Sequence, residues 1–93
     1  MNIDIEINKE RTRVMINSSV TKNFMTTQYA KYRKLLMRKK TVSYSLTTID
    51  KSALNEEKID EEVEVQLLID ELRKKITFDI MKMINHSVIL EFS

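Results

Sequence analysis

From Glu61 to Asn85 the apolar positions Val65, Leu68, Ile69, Leu72, Ile76, Ile80 and Met83 recur at steps of three and four, with Glu64, Asp70, Glu71, Lys74, Lys75 and Lys82 opposite them. That spacing predicts a long amphipathic helix with one face for water and one for a partner. The buried face would serve the core of this chain or a core shared with a second copy. Ile76, Phe78 and Ile80 also alternate with Thr77 and Asp79, so a strand competes for residues 76–84. Continuity of the stripe favours the helix.

At the other end, Ile3, Ile5 and Ile7 alternate with polar residues, and so do Thr12, Val14 and Ile16. Two period-2 runs joined by a short polar stretch predict a β-hairpin with its loop over residues 8–11. Setting Ile7 against Thr12, Ile5 against Val14 and Ile3 against Ile16 gathers the β-branched residues on one face and places Glu6 opposite Arg13.

Ser18 or Ser19 would cap a helix from Val20 to Lys40, in which Val20, Phe24, Met25, Tyr29, Tyr32, Leu35 and Leu36 share half of a helical wheel. Thr41 to Thr47 alternates again and predicts a strand. Asp50 to Asn55 reads as a connector into a second helix whose first turn carries Glu56 and Glu57. Val88 to Phe92 reads as a terminal strand. The expected fold is therefore α+β, one domain over residues 1–93 in the order ββαβαβ, with an N-terminal β-hairpin and two amphipathic helices packed on a small sheet. A mostly α fold is the alternative.

Composition narrows the chemistry. The 93 residues include no Gly, Pro or Cys, which leaves turns to Asn, Asp, Ser and Lys and excludes glycine loops that cradle phosphates, disulfides and thiolate chemistry. The longest apolar runs, such as Leu67 to Ile69, are far too short to span a membrane, and the acidic, alternating start is unlike a signal peptide. A cytoplasmic protein without membrane contact is expected. Abundant Ile, Lys, Asn and Met fits an AT-rich coding sequence, hence a phage, virus or other mobile element and a host cytoplasm or virion. A chain this short buries little apolar surface alone, so a homo-oligomer is expected.

Charge is distributed unevenly. Residues 1–50 carry a net +6 and residues 51–93 a net −4, within a total of +2. Lys31, Arg33, Lys34, Arg38, Lys39 and Lys40 could contact nucleic acid or an acidic partner, with Tyr29 or Tyr32 to stack, or could form a solvated face. Glu56, Glu57, Asp60, Glu61 and Glu64 could contact a basic partner, or simply stand where a helix N-terminus favours acids. The same acids lack the spacing of a calcium loop, so no metal is expected. His86 is the only histidine and reads as a surface or capping residue.

No acid–base pair, nucleophile motif or cofactor loop stands out. The expected function is that of a non-enzymatic protein-interaction module: a small oligomeric accessory, assembly or inhibitory factor of a phage or mobile element, with an unidentified protein partner and no cofactor. Val65, Leu68, Ile69, Leu72, Ile76, Ile80 and Met83 would form the oligomer or core interface. The alternative is a nucleic-acid-binding regulator that uses the basic helix around residues 31–40.

Overall fold

In a chain without glycine, Asn8 and Lys9 make the first turn themselves, with φ of 49° and 70°. Two consecutive positive φ values define the turn whose twist matches that of paired strands, and it joins β1 (Asn2–Ile7) to β2 (Glu10–Asn17). Ile3 faces Val14, Ile5 faces Thr12 and Ile7 faces Glu10. The hairpin is thus two residues tighter than the sequence pattern suggested. An even shift keeps the same residues on the core face, and Ile5, Ile7 and Val14 are buried. Arg13 now faces Asp4 and meets it at 3.3 Å.

A computed structural model describes residues 1–17, 22–50, 53–82 and 87–91. After the hairpin come β3 (Phe24–Thr26), α1 (Thr27–Tyr32), β4 (Arg38–Asp50), β5 (Ala53–Ile69), β6 (Leu72–Met81) and β7 (Val88–Glu91). The strands form one mixed sheet in the order β1-β2-β7-β3-β6-β5-β4, and β1 also pairs with β5 through Glu6 with Leu68 and Ile7 with Leu67. Six strands therefore close into a small barrel, and β4 lies outside the ring. Closure removes the open edges that a flat sheet of this length would expose.

This architecture corrects the α+β expectation. In place of the helix expected from Glu61 to Asn85, the described part, residues 61–82, is strand: β5 and β6 run antiparallel and turn at Asp70 and Glu71, where Asp70 takes φ 55°. The operative period is two. Val63, Val65 and Leu67 on β5 meet Phe78, Ile76 and Lys74 on β6, and Val63, Val65, Leu67 and Phe78 are buried. Long-range ladder bonds override the helix propensity of the intervening Glu and Lys. The expected helix from Val20 to Lys40 shrinks to α1. Thr26 caps its start by accepting from the Tyr29 N–H at 3.1 Å, and Lys34 at φ 55° turns the chain away after Tyr32. The proposed caps Ser18 and Ser19, and His86, lie outside the described residues. Asn55, Glu56 and Glu57 sit in strand β5 rather than at a helix start.

Two clusters hold the molecule together. The larger fills the barrel with twelve buried residues, among them Ile7, Val14, Met25, Leu67, Phe78 and Val88. The smaller comprises buried Phe24, Ile59 and Met81, with Tyr44, Leu46 and Ile89 against them. Alternation explains the split: Met25 and Ile80 face the barrel interior, whereas their neighbours Phe24 and Met81 face outward. Beyond Glu62, β5 pairs with β4 alone, and this two-stranded arm supplies Ile59, Tyr44 and Leu46 to cover the outward face. Consequently Phe78, Asp79, Ile80 and Met81 are all buried in succession.

Candidate functional site

Asp79 is the one buried charged residue among those described, at 5% exposure. It lies on the outward face of β6, beneath the arm, and faces Glu62 across the ladder. Two like charges directly opposed on adjacent strands repel. The relief comes from β4. Between Lys39, paired with Glu61, and Tyr44, paired with Ile59, four residues of β4 oppose a single residue of β5. Such a bulge re-aims side chains. Here it sends the Lys40 ammonium inward, 2.8 Å from Asp79 Oδ1 and 3.4 Å from Glu62 Oε1, while Thr41, Val42 and Ser43 stay exposed.

The remaining valences are also filled. The Tyr44 hydroxyl donates to Asp79 Oδ2 at 2.5 Å. Lys22 approaches the same oxygen at 3.8 Å and lies over the Tyr44 ring, 4.2 Å from its centre. Arg38 donates to Glu62 at 2.7 Å, and the Asp79 amide donates to the Asn23 carbonyl at 2.9 Å. A shallow polar recess of about 260 Å³ opens here, lined by Lys22, Asn23, Lys40, Glu62, Thr77 and Asp79.

The electrostatics follow from these contacts. The hydrogen bond to Asp79 holds the Lys40 ammonium above its ordinary pKa against the opposing effect of burial. Burial first, and then the Asp79 carboxylate, push the Tyr44 phenol well up. The Arg38 hydrogen bond, aided by Lys40, keeps the Glu62 carboxyl below the usual range. Lys40 is therefore an ammonium and Glu62 a carboxylate at neutral pH. Among the described residues, no group of three or more His, Cys, Asp or Glu is placed to hold a metal ion.

A larger hollow of about 510 Å³ lies beside the arm, bordered by Thr27 of α1, Lys39, Glu56, Asp60 and Glu61 of the arm, and Ile80 and Lys82 from the barrel. Its size is that of a ligand cleft.

The residues expected to form the oligomer or core interface are divided. Val65 and Ile80 are buried; Leu68, Ile69 and Ile76 are half-buried; Leu72 is 63% exposed at the β5–β6 turn; Met83 is outside the described residues. The basic group is dispersed as well. Lys31 and Lys34 are exposed around the end of α1. Arg33 is half-buried as a residue, with its side chain covered and its guanidinium on Glu10 Oε2 at 2.6 Å, Thr12 Oγ1 at 3.1 Å, the Tyr29 hydroxyl and the Ile7 carbonyl. Arg38, Lys39 and Lys40 lie on β4, and Lys39 reaches Asp60 at 3.5 Å. Glu56, Glu57, Asp60, Glu61 and Glu64 all lie on β5, and Glu57 accepts from the Lys82 amide at 2.6 Å. The structure thus brings part of the basic run onto the acidic strand, Arg38 to Glu62 and Lys39 to Asp60.

Sequence reasoning missed Asp79, Tyr44 and Lys22. The available signal was a lone acid inside the apolar run from Ile76 to Met81, since a charge buried in a strand requires partners.

The six-stranded barrel thus carries the β4–β5 arm, a hollow beside it and a buried aspartate beneath it. The chain belongs to the PEG10/RTL1 protease domain family, a group of retroviral-like aspartic proteases, whose model matches residues 13–93. No curated protein matches the chain. The family match overturns the expectation of a non-enzymatic interaction or accessory module, and with it the nucleic-acid regulator offered as the alternative. The match extends over nearly the whole chain. Among the described residues no helix is long and apolar enough to cross a membrane.

Proposed function

We propose a protease-like function for this chain, exercised on an extended peptide lying over the recess that Glu62 and Asp79 line. The observation that carries it is the family match over residues 13–93. Aspartic proteases work with two carboxylates that share one proton. All but three of the fourteen acids, Asp4, Glu6 and Glu10, fall between Asp50 and Glu91, and none of the residues outside the described segments is an acid. Asp79 and the opposed Glu62 are the pair that the ladder brings closest to such an arrangement.

One observation favours a second reading, in which the domain keeps the protease fold without the hydrolytic pair. Lys40 bridges Asp79 and Glu62, so an ammonium stands where a proton shared by the two carboxyls would lie. Incubating the purified chain with a mixed peptide library between pH 4 and 7, followed by mass spectrometry, separates the readings. Cleavage that disappears in a folded Asp79→Asn variant supports hydrolysis at this pair. Intact peptides in every sample establish the degenerate domain.

Association with a second copy remains part of the proposal, supported by the small size of the chain and by exposed Leu36 and Val42, at 87% and 74%. Light scattering should then give twice the 11.0 kDa chain mass.

A further inference from the structure

The arm meets the barrel through the smaller of the two clusters. Among the described residues, three buried ones lie in that contact, against twelve in the barrel interior. No backbone ladder ties the arm to the face it covers, since β4 pairs only with β5 among the described residues. The contact contains one buried charge, Asp79, and both of its oxygens are taken by β4: Oδ1 by Lys40 and Oδ2 by Tyr44. These two side chains stand at the two ends of the bulge, so the irregular segment is pinned at both ends to one point of β6.

We propose that Asp79 is a catch that fixes the β4–β5 arm on the barrel, holding both ends of the irregular segment at residues 40–43 through Lys40 and Tyr44. Asp79 acts here as a positioning residue. Segments with few buried contacts open before the core does, and an ion-paired tether sets how often they open. Lys22 strengthens the closed state by capping the Tyr44 ring and the same carboxylate oxygen from the barrel side. Releasing the catch exposes Phe24 and Met81 and widens the hollow between arm and barrel. The inference goes beyond the protease-like reading and holds whether or not the peptide is hydrolysed.

Hydrogen exchange read by mass spectrometry on the full chain tests it. In Asp79→Asn, amides of residues 44–47 and 54–60 should exchange roughly ten- to a hundredfold faster, the effect of losing a charge-assisted hydrogen bond. Amides of the β1–β2 hairpin and of residues 63–67 should keep their rates. Tyr44→Phe should give a smaller acceleration confined to the same segments and add little in the Asp79→Asn background. Lys40→Met and Tyr44→Phe leave Asp79 in place and serve if Asp79→Asn does not fold. Unchanged arm rates, or an equal acceleration throughout the barrel, would overturn the proposal.

Discussion

Glu62 and Asp79 oppose one another across the β5–β6 ladder, and the ammonium of Lys40 stands between them. Three strands are joined by this arrangement, because Lys40 comes from β4. Its cost and its use both follow from the bulge that turns Lys40 inward.

Removing the shared cation should expose the repulsion it conceals. Lys40→Met should destabilise the chain by roughly 1–3 kcal/mol, measured as a shift in the urea midpoint. In the same variant the Glu62 carboxyl should titrate higher than in the parent chain, because Lys40 is one of the two cations that hold it down. Carboxyl carbon shifts followed by NMR against pH would show it, and an unchanged Glu62 titration would exclude the bridge.

Stability should fall at both ends of the pH scale for separable reasons. Lys40 and Tyr44 have raised values in the folded chain, so what they contribute is complete below about pH 10 and lost as pH rises further. Glu62 has a lowered value, so its contribution is complete above about pH 4 and lost as pH falls through the folded value. Urea midpoints from pH 3 to 11 should form a plateau with both shoulders. Absorbance of the three tyrosines should show one phenolate appearing later than the others in the folded chain.

Arg33 is the second polar anchor. Its guanidinium ties the end of α1 to the hairpin through Glu10, Thr12 and the Ile7 carbonyl, and it lies over the Tyr29 ring, 5.6 Å from the centre. Arg33→Ala should cost on the order of 2–4 kcal/mol, since buried acceptors lose their donor. Arg33→Lys should recover less than half, because an ammonium lacks the planar fork that reaches several acceptors at once. Thermal or urea unfolding of both variants provides the comparison.

The turns offer the opposite change. Lys9, Lys34 and Asp70 hold positive φ at 70°, 55° and 55°, a region in which a β-carbon crowds the backbone. Lys9→Gly should stabilise by about 0.5–1 kcal/mol, the relief of that crowding offset by the entropy of glycine. The gain should appear in the unfolding rate or midpoint with no change in the exchange pattern of the sheet.

The hairpin was legible in the sequence because Ile3, Ile5, Ile7 and Val14 carry a clean period of two. Its register was not, since a two-residue turn requires positive φ at Lys9, and lysine does not announce it. The long helix was misread because both periods coexist between Val63 and Ile80. Leu72 satisfied the helical stripe yet lies exposed at the turn, whereas Val63, left out of that stripe, is buried. Partners far along the chain decided between the periods. Asp79 was visible as a residue and illegible as a site, because Lys40 reaches it only through a bulge that no local pattern encodes.

The surplus residues of β4 have a consequence for how this shape can vary. Thr41, Val42 and Ser43 are exposed and stand outside the regular ladder between Lys39 and Tyr44. Changes in their number or stiffness would alter the tilt of the arm without disturbing a buried residue. The pitch of the cleft is thereby set by a short surface stretch under little packing constraint, a place where lineages can drift in geometry while the barrel stays fixed.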